Sequence, residues 1–229
     1  MQLKIENLQK QFKTKIIFNN INFTMNLTGI SVILGINGSG KSTFLDMLIG
    51  KQKLNKGDLL FNNKSISKQS IYQRLNDGFG YVSQKDMPVL SLTVYDNLVL
   101  FSQEQNNSRL KELIEQFEIT TLLNTKYKNL SFGEKVRTKI VLALLNSPKL
   151  LILDEPFSGL DPIFTNKIKD LLVKIKDKGV SILLAEHVYH IMLDIADNFY
   201  FIHNQNLHHI GNAHEFNNNE LIKKHYFGN

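Results

Sequence analysis

Cysteine is absent from the 229-residue chain, which excludes disulfides, thiolate-bound zinc and a cysteine nucleophile. Long apolar runs are absent as well. The richest stretches, 140–145 and 150–153, are separated by Asn146, Ser147, Pro148 and Lys149, and both fall far short of the roughly 18 residues a membrane span needs. The first ten residues alternate polar and apolar and lack the apolar centre of a signal peptide, so residence in the cytosol is the default expectation. Blocks of like charge are missing, and the basic residues are not interleaved with stacking aromatics. The net charge of +6 therefore reads as a slightly basic surface, and no nucleic-acid partner is expected. There is no repeat, low-complexity linker or heptad run.

What is present is a globular composition. Apolar residues make up 42%, charged residues 21% and aromatics 10%. That supports one hydrophobic core with room for a satellite lobe, hence a single domain over 1–229. Residues 2–8 and 15–25 read as strands, with Leu8 out of phase and Asn19-Asn20 offering a turn. Residues 30–34 form a short β-branched run that enters glycines at once, a buried strand followed by a tight turn. A helix is predicted from Lys41 to Ile49, closed by Gly50. Residues 79–82 read as a strand. From about 88 to 145 the pattern is helical: Leu110, Leu113, Ile114 and Phe117 share one face, and Ile140, Leu144 and Leu145 belong to a later helix that ends before Pro148. Strand and helix then alternate: 150–153, 164–178, 180–185, a short helix near 188–195, and 199–202. The Asn217–Asn219 run reads as an exposed turn. Alternating β and α elements call for a parallel sheet covered by helices, an α/β fold with the 88–145 stretch as an inserted α-helical subdomain.

Gly35-Ile36-Asn37-Gly38-Ser39-Gly40-Lys41-Ser42 fits GxxxxGK[ST]. Glycines let the backbone curl so that N–H groups point inward at phosphate oxygens. The helix that follows adds the partial positive charge of its N-terminus. Lys41 supplies a full charge to the β- and γ-phosphates, and the Ser42 hydroxyl suits Mg²⁺. The competing reading, a glycine-rich turn without a ligand, is weakened by the buried strand before it and the helix after it.

The apolar strand 150–153 ends in Asp154 and Glu155. Carboxyl ends of parallel strands are where ligands sit. Asp154 suits Mg²⁺, and Glu155, one residue on, suits a water that attacks phosphorus. Capping of a neighbouring turn is the alternative role for Asp154.

Leu130-Ser131-Phe132-Gly133-Glu134 resembles the LSGGQ signature of ATP-binding cassette (ABC) ATPases. The other motifs of that family appear in order. Tyr81-Val82-Ser83-Gln84 is similar to the glutamine loop, Ser158-Gly159-Leu160-Asp161 to the D-loop, and His187 to the switch histidine. Phe12 stands where the family stacks an aromatic ring on adenine, with ordinary strand-edge packing as the competing reading. The resemblance runs from about residue 2 to Gly211. It implies a P-loop NTPase (RecA-like) core with an N-terminal antiparallel β subdomain and the helical subdomain already noted.

The resemblance also implies roles. Asn37, Gly38, Ser39, Gly40, Lys41, Ser42 and Thr43 would cradle the phosphates of ATP. Ser42, Gln84 and Asp154 would hold Mg²⁺. Glu155 would be the catalytic carboxylate, with Gln84 and His187 completing the catalytic set. Ser131 and Gly133 would act in trans on ATP bound to a second ATPase subunit, for which another copy of this chain is sufficient, and Asp161 would lie at that boundary. Two departures stand out: Phe132 replaces a glycine, and Glu134 replaces the glutamine and brings a negative charge towards the partner's ATP.

Two functions are compatible with these motifs. One is the ATPase subunit of an ABC transporter, driving a separate integral membrane subunit and lying peripherally on the cytoplasmic face of the membrane. The other is a soluble assembly ATPase such as that of iron–sulphur cluster biogenesis, which shares the Gly133-Glu134-Lys135 run. Thr93-Val94-Tyr95-Asp96-Asn97-Leu98, which resembles the helix start where membrane subunits dock, favours the transporter. All seven histidines lie from His187 onward. His208 and His209 are adjacent and would face opposite sides of a strand, so turn and surface roles are expected for this group over a metal site.

Overall fold

Strand β3 (Ile30–Leu34) is buried along its whole length, and its side chains divide between two cores by strict alternation. Ile30, Val32 and Leu34 enter one core, while Ile33 enters the other. The same division recurs in β7 (Leu150–Asp154), β8 (Ser181–Glu186) and β9 (Asn198–His203). Leu151, Leu153, Ile182, Leu184, Phe199 and Phe201 face one side, and Leu150, Ile152, Leu183, Ala185, Tyr200 and Ile202 face the other. Strands covered on both faces read as continuous apolar runs, which is why these segments were legible in the sequence. This computed structural model describes residues 1–84, 88–102 and 107–227.

The strands form two sheets. The six-stranded sheet has the order β10-β9-β3-β8-β7-β6, with β6 at Phe79–Val82 and β10 at Asn206–Gly211. Its pairs are parallel except β10 with β9. The four-stranded antiparallel sheet has the order β2-β1-β4-β5, with β1 at Gln2–Phe12, β2 at Lys15–Asn26, β4 at Lys56–Phe61 and β5 at Lys64–Ser65. Helix α1 (Lys41–Ile49) and this second sheet cover one face of the large sheet. The other face is covered by the later helices: α3 (Val94–Phe101), α4 (Asn107–Gln116), α5 (Phe132–Leu144), α6 (Pro162–Asp177), α7 (Ala213–Asn218) and α8 (Glu220–Ile222). A short α2 (Ile71–Asn76) lies between β5 and β6.

Leu8 is out of phase because β1 is irregular. Its register with β2 shifts between Ile5 and Leu8, beside Asn7 at φ 48°. The extra residue restores the inward direction, so Leu3, Ile5 and Leu8 are all buried.

Three local expectations are corrected. Asn19-Asn20 is not a turn. β2 runs through it, with Asn20 absorbing a register shift at φ 54°. The helix expected near 188–195 is only a single turn at Tyr189–Ile191. The chain must close there so that Asp197 can accept a hydrogen bond from Ile30 N–H at 2.8 Å. The Asn217–Asn219 run is not a free turn either, because Asn217 and Asn218 finish α7 and the Asn219 side chain caps α8 by accepting from Leu221 and Ile222 N–H.

The helical stretch is held by specific polar contacts. Leu110, Leu113, Ile114 and Phe117 are buried on one face. Arg137 of α5 donates to the Phe117 and Glu118 carbonyls just past the end of α4, a favourable place for a cation. An isolated bridge joins Thr93 to Lys126.

Candidate functional site

The carboxyl ends of β3, β8 and β7, neighbours in that order, bring three chain segments together. β3 runs into the glycine loop, β7 ends in Asp154 and continues to Glu155, and β8 ends in Glu186 just before His187.

The glycine loop curls through left-handed backbone at Gly38 (φ 79°) and Gly40 (φ 110°). A Cβ on Gly38 would meet nothing within 4 Å, whereas one on Gly40 would strike Ile17 and Phe18 of β2. The loop is thus walled by β2 on one side and open on the other. Helices α2, α3, α5, α6, α7 and α8 begin with a side-chain cap, but α1 begins at Gly40 without one. Its first N–H groups and the partial positive charge they carry are directed to whatever occupies the loop. Lys41 is buried, and its Nζ donates to the Gly35 and Ile36 carbonyls, 2.8 and 3.4 Å away. Burial pushes its pKa down, and the charges of Glu155, Asp154 and Glu186 partly offset this. Ser39 Oγ is buried without a hydrogen-bond partner, so the loop has an unspent polar group as well as unspent N–H groups. These features suit a polyphosphate.

Two oxygens suited to a hard cation meet where Ser42 Oγ donates to Asp154 Oδ1 at 3.0 Å. Burial is the main cause of the raised pKa of Asp154. The Ser42 hydrogen bond opposes it, Glu155 and Asp46 add to it, and Lys41 opposes it. A divalent cation there would stabilise the charged carboxylate, so the donor set fits Mg²⁺.

Glu155 stands at the centre. Its Oε2 accepts from Gln84 Nε2 at 3.1 Å and lies 3.8 Å from His187 Nδ1. Its Oε1 is 3.9 Å from Lys41 Nζ. Its backbone is left-handed (φ 49°), which is costly for a residue with a side chain, and it is held by a bond from Glu155 N–H to the Ala185 carbonyl. Lys139 of α5 donates to the Ser83 and Gln84 carbonyls, at 2.8 and 3.4 Å, and so ties the glutamine segment to the helical stretch.

Glu186 was not singled out from the sequence. Its carboxylate is 1% exposed and accepts from Phe157 N–H at 3.1 Å and from His187 N–H at 3.2 Å. Burial pushes its pKa up to about 7, against those two hydrogen bonds. The available signal was positional. Like Asp154, it is an acid at the end of an apolar strand run.

The signature-like segment lies at the start of α5. Ser131 caps the helix, and Glu134 closes a reciprocal capping box: Ser131 N–H donates to Glu134 Oε2 at 2.7 Å, and Ser131 Oγ accepts from Glu134 N–H at 3.4 Å. The carboxylate of Glu134 is therefore folded back onto its own helix terminus. The Ser131 hydroxyl hydrogen is not used in that bond. Phe132 is half exposed and lies over Gly159, whose added Cβ would be 3.6 Å from its ring. Gly133 is required by close approach, since a Cβ there would sit 2.4 Å from the Phe164 ring of α6. Gly133→Ala is expected to lower stability by about 1–3 kcal/mol, the usual cost of overpacking, read as a lower midpoint in urea. An unchanged midpoint would mean that α6 moves aside freely.

Lys41, Ser42, Gln84, Asp154, Glu155 and His187 are linked by the contacts above. Phe12 is not part of that linked set. It ends β1 at the hairpin, 42% exposed, with Lys10 Nζ 4.4 Å from its ring centre. Ser131 and Gly133 sit apart from the phosphate loop on α5. The C-terminal histidines do not converge into a metal site. His203 stacks on His225 with ring centres 4.2 Å apart, and among the described residues no group of three or more ligands could hold a metal ion.

Beside the glutamine segment is a cavity of about 240 Å³, whose lining includes Tyr81, Val82, Pro88, Phe101 and Leu142. Next to it α3 exposes Tyr95, Val99, Leu100 and Phe101. Among the described residues no helix is long and apolar enough to cross a membrane.

Comparison with known proteins agrees with this geometry. Residues 18–158 match the family model described as ABC transporter. The chain is 31% identical to the lipopolysaccharide export system ATP-binding protein LptB of Haemophilus influenzae, over 99% of this chain and 97% of that one. It is 30% identical to the lantibiotic transport ATP-binding protein SrtF of Streptococcus pyogenes, over 88% and 86% of the two chains. Among solved structures, the ADP conformation of an ATP-binding cassette of an ABC transporter superimposes with a TM-score of 0.89 at 26% identity, covering all of both chains.

Proposed function

The chain belongs to the ABC transporter family of ATP-binding subunits, and from that premise we propose how its residues bind and hydrolyse ATP and what they drive. It is an ATPase with a P-loop NTPase fold, and it works with membrane transporter components. Both relatives named above are transport subunits, which favours transport over assembly of iron–sulphur clusters. The observation that carries the assignment of roles is the convergence on Glu155 of Gln84, His187 and Lys41.

In this reading, residues 37–43 hold the phosphates through backbone N–H groups, the α1 terminus and the Lys41 charge. When bound, Mg²⁺ neutralises developing charge on the phosphate oxygens, and Ser42, Asp154 and Gln84 hold it. Glu155, beside Gln84, takes the proton of the attacking water. Lys41 and His187 face the charge that builds on the transferred group. Phe12 offers its exposed ring to adenine, with Lys10 against it. Ser131 and Gly133 present the α5 terminus to ATP held by a second copy of the chain. The capping box ties the Glu134 carboxylate to Ser131 N–H, so its place at that terminus is fixed.

The whole chain, 1–229, is one cassette on this reading, and its helical part at about 88–145 meets the membrane subunit. The docking face is the cavity beside Gln84 together with the apolar residues of α3. A segment docked there touches the helix that carries Lys139, which in turn holds the Gln84 loop, so occupancy of the groove and geometry at Glu155 are mechanically joined. The chain then lies on the cytoplasmic face of the membrane, where ATP is supplied. A mild-detergent pull-down of the tagged chain from its native cells, read by mass spectrometry, is expected to recover a polytopic membrane protein. Its loss in Leu100→Asp/Phe101→Asp would place docking at α3. Recovery of soluble scaffold proteins alone would revive the assembly reading.

A further inference from the structure

The C-terminal segment reaches back to the switch region. After α8 the chain makes one wide π-type turn at Lys223–Phe227, a local irregularity often found at functional positions. Tyr226 Oη in this turn donates to the backbone carbonyl of His187. On the other side of the same residue, His187 N–H donates to Glu186 Oε2. The second oxygen of Glu186 accepts from Phe157 N–H, two residues past Glu155. The backbone of His187 is therefore gripped at both ends, and one grip also holds the segment after Glu155. The imidazole is held differently. Its Nδ1 is buried with no hydrogen-bond partner and lies 3.8 Å from a carboxylate oxygen of both Glu155 and Glu186.

Aromatic packing fixes the turn that carries Tyr226. The Tyr226 ring lies 5.8 Å from Tyr189 and 5.5 Å from Phe201, edge-on to both. Tyr189 also packs on Phe216 and Phe227 at 5.4 and 4.9 Å. Beyond His187 the switch segment has only the single turn at Tyr189–Ile191, so these contacts and the Tyr226 bond set where the segment lies. The ring of Tyr226 anchors the tail, and the hydroxyl acts on His187.

We propose that Tyr226 is a positioning residue for ATP hydrolysis, its hydroxyl fixing the His187 peptide from one side while the buried Glu186 carboxylate fixes it from the other. The inference rests on the proposed role of His187. Tyr226→Phe removes the hydroxyl and keeps the packing, so it separates positioning from stability. Steady-state hydrolysis by the full chain is expected to lose about five- to tenfold in kcat, the size of one hydrogen bond, with KM for ATP changed by less than about twofold and a thermal midpoint lowered by no more than about 5 °C. His187→Ala sets the floor, and the double variant Tyr226→Phe/His187→Ala is expected to be no slower than His187→Ala alone, because a residue acting through another adds nothing once that one is gone. Wild-type kcat in Tyr226→Phe beside an impaired His187→Ala would overturn the role of Tyr226 and leave that of His187 intact. Multiplying losses in the double variant would overturn it too. Wild-type turnover in His187→Ala would remove the reading of His187 and this inference with it.

Discussion

Replacing Glu155 with Gln is expected to abolish most turnover, by at least about a hundredfold, the usual contribution of a positioned general base, while ATP binding persists. The geometry makes the two effects separable. Gln has the shape of Glu, so an amide oxygen can still accept from Gln84 Nε2, which lies 3.1 Å away. The amide cannot take a proton from water. Removing a negative charge 3.9 Å from Lys41 Nζ also leaves more of the lysine's field for phosphate. The phosphate loop, α1 and the Ser42–Asp154 pair are untouched. ATP is therefore expected to accumulate unhydrolysed and to hold two copies of the chain together. Phosphate release, nucleotide binding by equilibrium dialysis and mass by light scattering in ATP would read the three consequences. Unchanged turnover would remove Glu155 from its role, and binding lost together with turnover would make it a structural residue.

Arg74→Ala is expected to cost about 3–5 kcal/mol of stability, a large part of the roughly 5–15 kcal/mol a domain of this kind has. Arg74 lies in α2 and is 2% exposed. Burial pushes its pKa down only to about 10, so it remains a cation at neutral pH. Its guanidinium donates to the Met47 and Leu48 carbonyls in the last turn of α1 and to the Ile66 carbonyl. A cation at a helix C-terminus complements the helix dipole, and here it also satisfies carbonyls that have no partner within the helix. Truncation leaves a cavity and takes a charged donor from all three carbonyls. Met47 and Ile66 still accept from Gly50 and Gln69 N–H, at 3.3 and 3.0 Å, while Leu48 loses the donor Arg74 gave it, at about 1–3 kcal/mol for a buried group left unpaired. Because the other end of α1 begins at Lys41, saturating ATP is expected to recover part of the loss by binding only the folded state. Urea unfolding with and without nucleotide would measure both. A midpoint equal to wild type would show that water replaces the guanidinium at no cost.

The two kinds of information differ in reach. Helix α1 was legible to its ends, because Gly40 and Gly50 bracket it and both adopt left-handed backbone. β3, β7 and the greater part of β8 were legible because full burial on both faces favours near-continuous apolar runs, which Ser31 alone interrupts in β3. β4 and β10 were not. Lys56–Phe61 and Asn206–Gly211 are mixed in polarity, and they become strands only by pairing with β1 and β9. The helix expected near 188–195 failed for the same kind of reason, since Asp197 is pulled back to Ile30 and tertiary demand overrides local periodicity.

The candidate site divides along the same line. The glycine loop and the acidic strand end carry short patterns that phosphate chemistry calls for, and the glutamine, signature-like segment and histidine were marked by their resemblance to one family, so the sequence by itself determined the class of reaction and named candidates for its residues. Which of those residues touch was decided by the parallel order β3-β8-β7, which sets Glu155 beside His187 and Lys41. The fate of Glu134 was decided by a helix terminus that needed its carboxylate. Glu186, Arg74 and Tyr226 carry no motif. Their partners are backbone groups: carbonyls for Arg74 and Tyr226, N–H groups for Glu186. Every residue has such groups, so local sequence leaves no mark of the pairing. Only the folded chain, bringing the Tyr226 hydroxyl to the His187 carbonyl, makes the contact visible.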